Sequence, residues 1–356
     1  MIIDVVKVIL PAALAFSIGM AITPALTHYL YTYKAWKKQV RSRAIDGREA
    51  IIFNELHKEK EIGTPRMGGV VIWLSAAFTI VGIWLLAELF PGSIFTKLDF
   101  LSRNQTWIPF FTLIAGALVG LIDDLFEVMG RGGYIGGGLS LTKRLLVVAG
   151  IALFVGWWFY SKLEITTIGM FFGASVSVGI FIIPIFVLVT LALYASGVID
   201  GIDGLAGGVF STIFLAYAGI AFYQGQIDLA AFCATVAGGI LAFLWFNIPP
   251  ARFYMSETGT MGLTITLAVV AFMTDSLGEG HGLIVLPIVA FLLLITVASV
   301  LLQVISKRLR KGKKIFRIAP LHHHFEAIGW PPYKVTMRFW VLGIIFGLVG
   351  MILAFL

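Results

Sequence analysis

Ten apolar runs, each long enough to cross a bilayer, constrain this chain more than any other feature. Windows of roughly 19 or more mainly apolar residues fall at 4–32, 67–89, 108–126, 142–160, 178–196, 204–222, 229–246, 258–275, 283–306 and 338–356. The runs are continuous and rich in Leu, Ile, Phe and Ala rather than alternating, which favours helices over barrel strands. The expected fold class is an all-α polytopic membrane protein with about ten transmembrane helices. Composition agrees. Only 13% of the 356 residues are charged and 59% are hydrophobic, whereas a soluble domain carries about twice that charged share. The first run lacks the basic front and small-residue cleavage site of a signal peptide and is expected to be retained as a span.

Charge then orients the bundle. The connection 33–66 carries nine Lys and Arg, 307–338 another nine, and 127–144 with 247–257 four more; the alternate loops offer only Lys97, Arg103 and Lys162. The positive-inside rule places the odd-to-even connections in the cytoplasm and both termini outside. The net charge of +7 is thereby explained by topology, and no nucleic-acid partner is expected. The single Cys233 sits in an apolar run, so neither an internal disulfide nor a Cys-based metal site is available.

The polar residues of interest gather at that one face. Asp123 and Asp124 close the third run, a costly placement beside lipid that marks a functional site. Ile199-Asp-Gly-Ile-Asp-Gly-Leu-Ala-Gly-Gly208 joins the fifth and sixth runs; on one helical turn Asp200 and Asp203 share a face, and the glycines let backbone approach a ligand. After the seventh run, Asn247 offers an amide for a base edge, Tyr254 an aromatic for stacking and Glu257 a further carboxylate. Such a set suits magnesium, usually held by one or two carboxylates plus substrate phosphates. His322, His323 and His324 lie in the long basic last loop; consecutive residues on a helix point about 100° apart, so they suit phosphate binding and loop geometry better than a metal cage. Carboxylates at one membrane face, rather than on broken helices at the midplane, argue for interfacial chemistry over transport. Phosphoryl transfer, which needs positioning and charge neutralisation more than covalent chemistry from the protein, fits this inventory.

With these residues in view, the chain resembles the phospho-N-acetylmuramoyl-pentapeptide transferases, within the polyprenyl-phosphate N-acetylhexosamine-1-phosphate transferases. The matches run nearly end to end: Gly63-Thr-Pro-Arg-Met-Gly-Gly-Val-Val-Ile72, Asp123-Asp124, Gly138-Leu-Ser140, Asp200-Gly-Ile-Asp-Gly-Leu-Ala206, Phe243-Leu-Trp-Phe-Asn247, Glu257-Thr-Gly259, and Pro320 to Glu326 with Arg338-Phe-Trp340. The histidine motif is the most specific of these.

The resemblance implies a homodimer in the bacterial inner membrane, a single integral membrane domain over 1–356, and an active face built from cytoplasmic loops 33–66, 127–141, 197–203, 247–257 and 307–337. It implies a Mg²⁺-dependent reaction in which undecaprenyl phosphate attacks UDP-MurNAc-pentapeptide to give lipid I and UMP. It assigns Asp123, Asp124 and Asp200 to catalysis, and Glu257 with Asp200 to the metal. Asp203, Asn247, Tyr254 and Gln303 go to the nucleoside, and His322, His323 and His324 to phosphates and loop geometry.

The chain also departs from the family pattern. Tyr194-Ala-Ser-Gly-Val-Ile-Asp200 stands where Asn-Ala-Val-Asn-Leu-Thr-Asp is usual, removing two amides. Glu257 replaces an Asp, Glu127 and Glu61 replace lysines, Arg66 replaces a Thr and Arg144 a Lys. The expectation is an active transferase in which Arg66, Arg144 or Lys60 supplies the displaced positive charge. The alternatives are the same chemistry on another UDP-sugar, or a lipid- and nucleotide-binding paralogue without turnover.

Overall fold

The computed structural model describes residues 2–37, 63–130, 138–171, 174–276 and 280–356. Most of the 33–66 connection, including Lys60 and Glu61, and the glycine-rich stretch 131–137 lie outside the described residues. Ten helices among the described residues are long and apolar enough to cross a membrane. They are α1 (Ile2–Thr32), α2 (Val70–Leu89), α3 (Trp107–Val128), α4 (Leu141–Lys162), α5 (Ile182–Ala195, extended by 3-10 turns at Gly179–Phe181 and Ser196–Ile199), α6 (Leu205–Tyr223), α7 (Ile227–Asn247), α8 (Ser256–Ser276), α9 (Phe291–Leu309) and α10 (Pro332–Ala354). The chain is an all-α, multi-pass membrane protein, as its apolar runs require.

Between the spans lie short helices at Ile94–Leu98, Leu286–Val289 and Leu321–Ala327, and a hairpin pairing Thr167–Gly169 with Ser175–Ser177. These were not visible as apolar runs. The last span begins at Pro332, six residues before the hydropathy window, because a proline at the first helical turn lacks only an N–H that would be unpaired there anyway.

Helices α6, α7 and α8 form the buried centre, and α1, α4 and α10 present apolar side chains outward. Lipid is as apolar as leucine, so helices in a bilayer associate by close packing of small residues. Gly238 of α7 lies against the Ala12 carbonyl of α1, and Gly239 against Ser75 and Ile72 of α2. Gly116 of α3 packs on Gly262 of α8, and Gly120 on the Glu257 main chain. Two threonines of α8 are satisfied within the helix: Thr264 donates to the Thr260 carbonyl at 2.7 Å and Thr274 to that of Val270 at 2.8 Å. A polar sequence can thus form the most buried helix of the bundle. Its N-terminus opens onto the acidic residues.

Candidate active site

The first turn of α8 organises the site. The early N–H groups of a helix have no partner within it and carry the positive end of its dipole, and here two aspartates from other segments take them. Ser256 N–H donates to Asp200 Oδ2 at 2.8 Å, and Thr258 N–H to Asp124 Oδ2 at 2.9 Å. Thr258 Oγ1 adds a 2.6 Å hydrogen bond to the same Asp124 oxygen. Gly120, one turn before Asp124, permits this: a Cβ there would run into the carbonyl of Glu257. Ser256 accepts a φ of 56° to turn the chain into the helix.

Asp123 is held from the other side. Gly138, with φ of 84°, brings Leu139 N–H to Asp123 Oδ1 at 2.5 Å. Ser140 caps α4, its side chain accepting from Lys143 N–H at 3.4 Å. One turn on, Arg144 donates through Nε to the Leu139 carbonyl at 3.0 Å while lying 3.3 Å from Asp123 Oδ2. Its Nη1 reaches Glu257 Oε1 at 2.6 Å, and Tyr194 donates to the other Glu257 oxygen at 3.5 Å. The replacement Arg144, Glu257 and Tyr194 therefore form one connected set.

Arg66 forms a second. It lies 3.6 Å from Asp124 Oδ1 and 3.2 Å from Glu127 Oε2, and Lys37 lies 3.2 Å from the other Glu127 oxygen. Burial works against the charge of Arg66, but Glu127, Asp124, Asp200 and Glu257 outweigh it and raise its pKa. Asp200, outside the spans, has its carboxyl pushed up to about 6: burial dominates, partly offset by the Ser256 N–H and by Arg66.

The Asp200–Asp203 turn is clamped from three directions. Asn247 Oδ1 accepts Gly204 N–H at 2.9 Å, and its Nδ2 donates to the Phe253 carbonyl at 2.8 Å. Thr336 and Trp340 of α10 donate to the carbonyls of Asp203 and Gly204 at 3.1 and 3.0 Å. Above Gly201 stand His322 and His323; a Cβ on that glycine would lie 2.5 and 2.7 Å from their Nε2 atoms. His323 is oriented by Glu326, Nδ1 to Oε2 at 2.6 Å. His324 faces away, its Nδ1 accepting Arg317 N–H at 3.2 Å.

Beside this turn lies a cavity of about 310 Å³ lined by Thr64, Asp203, Pro249, Pro250, Ala251 and Tyr254. Its two walls are stitched together: Tyr254 N–H donates to the Pro65 carbonyl at 2.9 Å and Gly68 N–H to the Tyr254 carbonyl at 2.8 Å. Gln303 is spent elsewhere, accepting the Ile315 and Phe316 N–H groups at 3.0 Å and donating to the Phe316 carbonyl at 2.8 Å.

The expected residues thus separate by place. Asp123, Asp124, Asp200, Glu257, Arg66 and Arg144 come together, and His322 and His323 join them across Gly201. Asp203 and Tyr254 line the adjoining cavity. Asn247 and Gln303 hydrogen-bond main chain, the first at Gly204 and Phe253 and the second at Ile315 and Phe316. Sequence reasoning did not single out Glu127 as an ion-pair partner, Thr258 as a donor or Glu326 as the orienting group for His323. The capping pattern of a Thr two residues into a helix was the available signal for Thr258.

A hard cation fits the donor set. Asp123 Oδ2 and Asp124 Oδ1 are buried and accept no hydrogen bond. No three acidic, histidine or cysteine side chains converge into a closed cage among the described residues; a magnesium ion is usually held by one or two carboxylates plus substrate phosphates.

Residues 106–275 match the family described as Glycosyl transferase family 4. Curated relatives match over more of the chain. A protein of Anoxybacillus flavithermus is 32% identical over 348 residues, 97% of each chain. One of Rickettsia bellii is 32% identical over 96% of this chain and 91% of its own. A third, from Listeria innocua, is 34% identical over 82% of this chain and 84% of its own. All three are named phospho-N-acetylmuramoyl-pentapeptide-transferase.

Proposed function

The chain belongs to the phospho-N-acetylmuramoyl-pentapeptide-transferase family, and from that premise we propose that it transfers phospho-MurNAc-pentapeptide from UDP-MurNAc-pentapeptide to undecaprenyl phosphate, the step that commits the sugar to peptidoglycan synthesis. An oxygen of the lipid phosphate attacks the β-phosphorus of the sugar nucleotide. The bond from that phosphorus to the bridging oxygen breaks, UMP leaves with the electron pair, and lipid I stays in the membrane.

The observation that carries this reading is the meeting of acidic side chains from α3, the Asp200 turn and α8 at one helix N-terminus, next to a cavity sized for part of a nucleotide. Asp123 takes the proton of the lipid phosphate through its buried Oδ2. Ile122, Leu125 and Phe126, exposed on the same turn of α3, offer the apolar face along which an isoprenoid tail lies. Asp203 and Tyr254 receive the uridine in the cavity they line, and His322 and His323 meet the phosphates above Gly201.

Magnesium would be held by Glu257 and Asp200, with the buried oxygens of Asp123 and Asp124 close by, and would neutralise charge on the diphosphate. Thr258 keeps Asp124 fixed, and Arg144 keeps Asp123 and Glu257 apart from each other's charge. The active face is cytoplasmic, the termini lie outside, the enzyme resides in the bacterial inner membrane, and it works as a homodimer.

The test is UMP release from UDP-MurNAc-pentapeptide by the full chain in detergent, with undecaprenyl phosphate and Mg²⁺. Release that requires lipid and metal, and falls about 100-fold or more in Asp123→Asn, as loss of a positioned base implies, is the expected result. Native protein that releases no UMP, or releases it equally well as Asp123→Asn, would overturn the reading.

A further inference from the structure

Arg66 reaches this centre from the loop before α2, and its main chain is fixed on both sides. Its N–H donates to the Ala35 carbonyl at 2.8 Å, the preceding Pro65 carbonyl accepts from Tyr254, and Gly68 two residues on donates back to Tyr254. The side chain crosses from this anchored loop to α3, where Asp124 and Glu127 sit three apart on one helical face. Its distances to them are 3.6 and 3.2 Å.

The pairing is close but held by charge. Arg66 Nε and Asp124 Oδ1 are both buried and neither makes a hydrogen bond, so this is no bidentate fork of the strong kind. A buried charge left unpaired is costly, and Asp124 is fully buried. Without Arg66, Asp124 would share its surroundings with Glu127, Asp200 and Glu257. A contact that satisfies charge without satisfying hydrogen bonds is easily exchanged for a compact cation, which loses no directional bond when it takes the place.

The sequence shows a matching relocation. Where the family resemblance leads one to expect Thr at 66 and Lys at 127, this chain has Arg66 and Glu127, and the two are in contact. The cation has moved from α3 to the loop before α2, and an acid stands where it was.

We propose that Arg66 is the resident counter-cation of the acidic centre in this chain, holding Asp124 and Glu127 together and competing with a divalent cation for Asp124. It is a positioning residue. The inference rests on the reading that a divalent cation enters this centre, and its consequence is that the chain binds free metal more weakly than its acidic residues alone would allow.

The experiment is equilibrium binding of Mn²⁺, followed by the electron spin resonance signal of the free ion, to the full chain in detergent without substrate. Native protein is compared with R66K and R66Q. R66Q, which keeps a shorter polar side chain but removes a like charge a few ångströms from the metal, binds about tenfold more tightly or better, and R66K stays within about twofold of native because it keeps that charge. If native protein shows no binding, the appearance of binding in R66Q supports the proposal. Equal or weaker binding by R66Q, or none in either, overturns it.

Should R66Q fail to fold, R66Q/E127Q is compared with E127Q, so that the two differ only at Arg66 and no Glu127 is left unpaired. The double variant is expected to bind Mn²⁺ about tenfold more tightly than E127Q, since it lacks the like charge near Asp124; equal or weaker binding overturns the proposal. UMP release by the same native sample is read separately. Its absence would sink the transferase reading and leave the Mn²⁺ comparison standing, whereas intact release with no tightening in R66Q would sink only the role of Arg66.

Discussion

Asp200 shows how one residue ties stability to chemistry. Burial lifts its carboxyl from the ordinary carboxylate range to about 6. A carboxyl whose folded pKa is raised favours the folded state while protonated. That contribution is fully present below the ordinary carboxylate range and is lost as pH rises through about 6, where the folded protein must carry a buried negative charge. A divalent cation needs the ionised form, so binding releases a proton in that window. Divalent affinity is expected to rise between pH 5 and pH 7 and to level off above, and Asp200→Asn should flatten the rise. Isothermal titration with Mn²⁺ at pH 5, 6 and 7 checks this; an equal pH slope in the variant would remove Asp200 from the metal. Of the residues read from sequence, the carboxylates were the most legible, because acids at the end of an apolar run are expensive unless used. Asn247 and Gln303 were less so: an amide that reads a ligand and one that clamps main chain have the same sequence signature, and only the partners distinguish them.

At the level of elements, the closeness of α3 to α8 makes the site. Gly120 lies where any Cβ would meet the Glu257 carbonyl and come within 2.8 Å of Thr258 N, both main-chain atoms that cannot turn aside. Overpacking of this kind costs about 1–3 kcal/mol, and relief by separating the helices pulls the Thr258 donors from Asp124. Gly120→Ala is therefore expected to lower both the unfolding temperature in detergent and UMP release, while Gly150→Ala, with open space around it, leaves both near native. Equal behaviour of the two variants would show that the approach of α8 is not needed. The spans themselves were readable because a bilayer fixes their length. Their ends were not: the 3-10 turns flanking α5 and the early start of α10 at Pro332 depend on local geometry that hydropathy averages away. The hairpin at Thr167–Gly169 and Ser175–Ser177 is too short to leave a pattern. The Arg66–Glu127 pair was visible only as two separate departures, since nothing in a single sequence says that a loop before α2 reaches the end of α3.

The whole molecule has a charge asymmetry, and the orientation proposed for it rests on that. The acidic centre, the histidine helix and the basic segment Lys307 to Lys314 share one face, while Lys97 lies on the other side of α2 and α3. In the proposed orientation this face is cytoplasmic, the side on which positive charge is retained and on which the transferase reading needs its sugar nucleotide. The chain offers a clean background for testing this, because its single Cys233 is fully buried. Lys311→Cys adds one thiol in an exposed turn and Lys97→Cys one on the exposed face of the short helix Ile94–Leu98. A membrane-impermeant maleimide applied to intact spheroplasts is expected to label Lys97→Cys at once and Lys311→Cys only after the membrane is permeabilised. The reverse pattern would put the acidic centre outside, where it could not meet a cytoplasmic nucleotide, and the transferase reading would fall with it. Labelling of both without permeabilisation would break the ten-span topology itself, because an odd number of crossings must separate the two positions.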